Sequence, residues 1–244
     1  MKLSALFEQK LKESDWHDEH DRLTKQEIED WCRNNSIRNI SVVKEGQDFV
    51  INCHEDVRIR ANNLPLDDDN MCYFPYQFGE VNGNFIVSTN GREKLRSLKN
   101  GPITVYGKYI VPGLGIESLE GMAGSVQDRC DLSDNQLKDW DGIPSQCGEL
   151  VINGNKITSF KGISKHWVMG NALRCDPIDK GVLELLEIEG LDQVIFVHNY
   201  SGTSIAREIN KAQQMINSHL QGERDVFDMQ SDFIDAGMAD WVKK

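Results

Sequence analysis

Between residues 57 and 173 the chain repeats a line of alternating apolar and polar positions that ends in asparagine and another apolar residue. Val57-Arg58-Ile59-Arg60-Ala61-Asn62-Asn63-Leu64 is the first such line, and Phe85 to Asn90 the second. Tyr109 to Ile116 is a third, with Leu114 in the place of the asparagine. Cys130 to Leu137, Leu150 to Ile157 and Val168 to Leu173 follow, carrying Asn135, Asn155 and Asn171. Alternation puts every second side chain on one face of a short strand, and asparagine turns the chain while bonding its own backbone. A second signal runs in step with the first. Gly101, Gly121, Gly142 and Gly162, each preceded by a Leu, Trp or Phe, fall 20, 21 and 20 residues apart and predict a corner in every repeat. A period near 20 predicts stacked coils, none of which can bury its own apolar face.

The flanks read differently. Leu3, Leu6, Phe7 and Leu11 share one helical face, and an acidic stretch from Glu13 to Asp21 follows. Thr24 and Glu27 have capping-box spacing before a helix that buries Ile28, Trp31 and Cys32 and stops at Asn34-Asn35. Ile40 to Val43 and Phe49 to Asn52 read as a β-hairpin. Beyond Ile178, a short helix over Val182 to Leu186 and a buried strand over Gln193 to Val197 are predicted. A strong helix carries Ile205, Ile209, Ala212, Ile216 and Leu220, and another carries Val226, Phe227, Gln230, Phe233 and Ile234. The expected fold class is α+β: a short, irregular leucine-rich-repeat-like β solenoid with an N-terminal α/β cap and a C-terminal helical cap. The expected division is residues 1–55, 56–177 and 178–244.

The sequence from Gln77 to Phe85, the line Asn135-Gln136-Leu137-Lys138-Asp139-Trp140-Asp141-Gly142-Ile143-Pro144 and the ending Asp228 to Met238 resemble a group of tailed-bacteriophage proteins. The resemblance covers about residues 37–175 and the last twenty. It implies a phage-encoded protein acting in the cytoplasm of an infected bacterium, with packaging in the virion left open. It carries over no catalytic residue.

Charge narrows the choice of partner. The formal net charge is −12. Residues 1–70 hold 10 basic and 16 acidic side chains (net −6), residues 71–175 hold 11 and 10 (net +1), and residues 176–244 hold 6 and 13 (net −7). Phosphate neutralisation needs a basic field, so direct nucleic-acid binding is not expected. No apolar run is long enough for a membrane span, and the early charges at Met1 to Lys10 do not suit a signal peptide.

Candidate chemistry is sparse. Cys32, Cys53, Cys72, Cys130, Cys147 and Cys175 form no C-x-x-C pair, which predicts reduced thiols used as small hydrophobes, and no cofactor. His17, His20 and Asp21 are the densest potential metal ligands, but in so charged a stretch a solvated linker is the expectation, and no metal site is assigned. The better candidate is the outward face of the strands. Ile86, Lys108, Ile110, Arg129, Asp131, Val151, Trp167 and Met169 would form an apolar centre among charges, with Trp167 its anchor if exposed. That predicts a non-enzymatic module that binds a host or phage protein. The equal alternative is that the C-terminal helices cover this face. Two other functions are carried: an acidic inhibitor that mimics nucleic acid to block a host defence enzyme, and an enzyme with a polar pocket holding His166, His198 or Asp176.

Overall fold

The computed structural model describes residues 24–243 except Met169. The amphipathic segment at Leu3 to Leu11 and the His17, His20 and Asp21 set lie outside the described residues. The protein is a mixed α/β structure built on a β solenoid of about six turns, with several helices including a C-terminal one.

The chain enters through α1 (residues 24–34), which buries Ile28 and Cys32. Its end is a Schellman turn: Ser36 takes φ 61°, Ile37 N–H donates to Cys32 O (2.8 Å), and Ser36 N–H donates to Arg33 O (3.0 Å). The hairpin follows as β1 (Ile40–Glu45) and β2 (Asp48–Cys53), paired antiparallel around Gly46 and Gln47. The second hairpin strand is also the first rung of the solenoid, because β2 pairs parallel with β4 (Gln77–Val81).

Each early coil contributes two strands. The first ladder runs through β2, β4, β6 (Thr104–Val105) and the start of β8 (Ser125–Asp131). The second runs through β3 (Val57–Arg60), β5 (Phe85–Ser88), β7 (Tyr109–Ile110) and the end of β8. From β8 onward the strands merge, continuing through β9 (Gln146–Val151), β10 (Ala172–Cys175) and β11 (Gln193–Phe196), so all eleven belong to one sheet.

The merger has a local cause. Cys53, Val81, Val105, Val126 and Cys147 stack as one inward column, and Val57, Phe85, Tyr109, Cys130, Leu150, Leu173 and Val194 as another. Three residues separate the columns through β8, whereas only Gly148 and Glu149 do so in β9. Gln127 and Asp128 therefore face one residue of β9 as a bulge, which bends β8 where earlier coils break. Both columns are buried, and they join Leu98, Leu119, Trp140 and Phe160 of the opposite wall in one core.

That opposite wall explains the glycines. Leu119 O accepts from Met122 N–H at 2.9 Å, and Phe160 O from Ile163 N–H at 3.0 Å, closing turns whose third residues Gly121 and Gly162 have φ of 82° and 87°. In the first of these corners the left-handed residue is Asn100 (φ 65°) and not Gly101, correcting the expectation by one position.

The short segment α2 (Ile163–His166) leads into the last coil, and a 3-10 helix spans Val182–Glu187. Helix α3 (Ser204–Gln221) starts at Thr203, whose hydroxyl accepts from Ala206 N–H, and buries Ala206, Ile209, Ala212, Ile216 and Leu220. Ile205 is exposed. Helix α4 (Val226–Asp235) starts at Asp225 and buries Met229 and Phe233, whereas Phe227 and Ile234, expected on its inner face, point to solvent.

Helix α3 lies along the free edge of β11. Asn217 accepts from Val194 N–H (2.7 Å) and donates to Val194 O (3.0 Å), while Gln213 accepts from Phe196 N–H (2.6 Å) and Gln221 donates to Asp192 O (3.1 Å). Four-residue steps on a helix advance about 6 Å and two-residue steps on a strand about 6.6 Å, so the stripe matches the strand. Arg224 gathers the nearby carbonyls of Leu220, Ile188 and Leu191.

Candidate functional site

The parallel register carries the outward residues into straight columns. Arg58, Ile86, Ile110, Asp131, Val151, Arg174 and Ile195 form one across seven strands, a span of about 29 Å at the usual strand spacing. Two residues earlier in the chain, on the same face, stand Lys108, Arg129 and Glu149, the last two in register. Because α3 sits at the edge of β11, Arg58 and Lys108 remain exposed, and Ile86, Ile110, Arg174 and Ile195 half-buried. Among the described residues the C-terminal helices do not cover this column, and the covered alternative is set aside.

A lattice of charges occupies its centre. Arg129 Nη2 donates to Asp131 Oδ2 (2.6 Å) and its Nη1 reaches Glu149 Oε2 at 3.4 Å. Arg174 Nε donates to the other Glu149 oxygen. Asp131 Oδ1 accepts from the Ser133 hydroxyl (2.6 Å) and the Ser133 backbone N–H (3.1 Å). Burial works against the charge of Arg129, yet the bonds from Asp131 and Glu149 outweigh it and hold the guanidinium more firmly protonated than in water. Two cations and two carboxylates cancel, leaving a fixed pattern of donors and acceptors. Val151 is 3% exposed although its register places it in the outward column.

Trp167 does not belong to this face. It is 0% exposed, and its indole fills the space over Gly170, where a Cβ would lie 2.0 Å from the ring. The expected last strand was placed about five residues early: the chain dives inward at Trp167 after α2, and the strand itself is β10, whose outward residue is Arg174. Met169 lies outside the described residues. Asn171 precedes β10 instead of ending a strand.

Of the asparagines, Asn135 and Asn155 do the expected work. Asn135 is fully buried: its Oδ1 accepts from Leu114 N–H (3.0 Å) and Ile116 N–H (3.1 Å), and its Nδ2 donates to Val111 O (2.9 Å) and Leu132 O (3.0 Å). It thereby serves the coil in which Leu114 replaces asparagine. Asn155 accepts from Leu137 N–H and donates to Leu132 O and Ile152 O. Asn62 sits exposed in a 3-10 turn, and Asn90 accepts from Arg92 N–H within its own loop. An unforeseen ladder forms at the other corner, where Asp56 accepts from Asn84 N–H (2.9 Å) and Asn84 Oδ1 from Lys108 N–H (2.9 Å).

Compared with protein-family models, curated proteins and solved structures, the chain matches none. The site must therefore be read from its own chemistry.

All six thiols are buried, and burial pushes those of Cys32, Cys53 and Cys147 up to about 12, so they are poor nucleophiles. Among the described residues no three His, Cys, Asp or Glu side chains gather as a metal site. His166 faces Asp141 at 3.8 Å, His198 approaches Asn210, and Asp176 accepts from Gly154 N–H (2.7 Å). No helix among the described residues is long and apolar enough to cross a membrane.

Beside the charged face, on the first-ladder side of the β8 bend, runs a trough of about 480 Å³. Thr104, Tyr106, Ser125, Gln127, Gln146 and Asn171 line it. Nothing in the sequence pattern marked these residues, because register brings them together and they share no residue type.

Proposed function

We propose that this protein is a non-enzymatic binding module that engages a protein partner through the outward column from Arg58 to Ile195. We read the solenoid as leucine-rich-repeat-like, with an α/β cap before it and a helical cap after it. The observation that carries the reading is the lattice of Arg129, Asp131, Glu149 and Arg174, set among half-exposed Ile86, Ile110 and Ile195. Its polar groups are already held in place, so a partner that matches them loses little side-chain entropy on docking. Apolar residues inside a polar frame give the composition of a specific interface. The resemblance to tailed-phage proteins supports a host or phage protein as partner, met in the cytoplasm of an infected bacterium.

The test is affinity purification from infected cells with wild type, Ile110→Asp, an Arg58→Glu/Lys108→Glu double variant and Lys165→Glu on another surface. The face variants should lose one reproducible partner that wild type and Lys165→Glu retain, with unchanged melting. Equal capture by all four would refute the reading.

A second reading rests on α4. Asp225, Asp228, Asp232 and Asp235 are exposed and recur at helical spacing on the acidic flank. Such a stripe supports mimicry of nucleic acid toward a host defence enzyme, and partner binding that weakens as salt rises would favour it.

A further inference from the structure

We propose that the trough beside the charged face binds a neutral oligosaccharide, a function separate from protein docking. Among the described residues its lining holds no Asp, Glu, Lys, Arg or His, in a chain in which 27% of residues are charged. What it offers instead is ordered. Thr104, Ser125 and Gln146 stand in one row, in register on β6, β8 and β9. Tyr106, Gln127 and Asn171 stand in the next, and Asn171 N–H donates to Gly148 O (2.8 Å) to continue it.

Adjacent rungs lie about 4.8 Å apart, so each row repeats hydroxyls and amides at a distance of the same order as one pyranose unit. Hydroxyl and amide groups both donate and accept, as sugar hydroxyls do. Tyr106 is 45% exposed and supplies an aromatic surface suited to the C–H face of a sugar ring. Gly148 interrupts the second row and keeps the floor open between Gln127 and Asn171.

Other occupants fit worse. Nucleic acid and anionic glycans need cations, and the described lining holds none. An extended peptide adding to a sheet needs a free strand edge, whereas β6, β8 and β9 each have neighbours on both sides. The site is open and shallow, so the expected affinity is modest.

Saturation-transfer NMR and calorimetry with cellohexaose, N-acetylated chitohexaose and maltohexaose test the proposal, with a heparin-derived hexasaccharide as the charged control. At least one neutral hexasaccharide should bind one to one, independently of salt, and more tightly than its disaccharide. Tyr106→Ala and Gln127→Ala alter exposed side chains and should each weaken binding, the tyrosine change by about tenfold or more. Ser125→Tyr should block the trough while melting stays near wild type. The proposal falls if no neutral hexasaccharide binds, if the heparin fragment is preferred, or if Tyr106→Ala binds as wild type.

Discussion

Asn135→Ala should be among the costliest single substitutions in this protein, and the reason can be worked through atom by atom. The side chain is fully buried, and its carbonyl oxygen is the partner of both Leu114 N–H and Ile116 N–H. Leaving a buried donor unpaired costs about 1–3 kcal/mol, so two orphans cost about 2–6 kcal/mol. On the carbonyl side Leu132 O also receives Asn155 Nδ2 (2.9 Å) and Ser133 O receives Gly113 N–H (3.0 Å), whereas Val111 O loses the Asn135 amide. Asn155→Ala orphans a single N–H, that of Leu137, and should cost about half as much. Asn135→Leu separates the two possible causes. It restores volume but not acceptance, so it should remain as destabilised as the alanine variant. Urea unfolding followed by tryptophan fluorescence gives the free energies. Amide exchange at Leu114 and Ile116 gives the local readout, and both amides should lose protection. If Asn135→Leu recovers wild-type stability, the cost is a cavity and the hydrogen-bond argument is refuted.

Other consequences can be checked as directly. Gly121→Ala should destabilise far more than Gly162→Ala. Both adopt left-handed φ, worth about 1–2 kcal/mol against alanine, but a Cβ on Gly121 would also lie 2.4 Å from the Lys99 backbone, whereas nothing lies within 4 Å at Gly162. Arg224→Ala should cost about 2–3 kcal/mol in urea unfolding by releasing the carbonyls it holds at the ends of two helices, and lysine should not restore it. The six buried thiols should ignore a disulfide reagent in the native state and react together on unfolding; fast labelling of any one would contradict its placement. Asn84 holds the Asp56 carboxyl below the usual carboxylate range through its backbone and side-chain hydrogen bonds. A lowered folded pKa means stability present above the unfolded value and lost as pH falls through the folded one. Urea stability should therefore drop on acidification below about pH 4, and less so in Asp56→Asn.

The stacking and the period could be read from the sequence because both leave regular chemical marks. A left-handed turn residue recurs once per coil, and β3 and β5 alternate long enough to show which side chains point inward. The first ladder left no such mark. Thr104-Val105 is two residues long, and Glu80, Thr104, Ser125 and Gln146 share a column without sharing a residue type. Their kinship exists only through register, which is set by neighbouring coils rather than by local pattern. Trp167 misled for a related reason. Trp167 and Met169 look like outward strand positions, but the last coil is short, and only the missing side chain of Gly170 gives the indole its buried seat. Arg174 was passed over because the true strand begins five residues later. On the face itself, Ile86, Lys108, Ile110, Arg129 and Asp131 were found by alternation alone, since parity is all that decides in or out on a strand.

A stack of near-identical rungs has no internal reason to stop at any number, because each new rung offers the next the same row of amides. Here the count is ended by side chains: Gln213, Asn217 and Gln221 of α3 answer the backbone of residues 192–196 as a further strand would, but present none of their own. The size of this protein is thus written in three amides on one helix. Exchanging Gln213 and Asn217 for alanine would leave the Val194 and Phe196 amides at that edge without these partners.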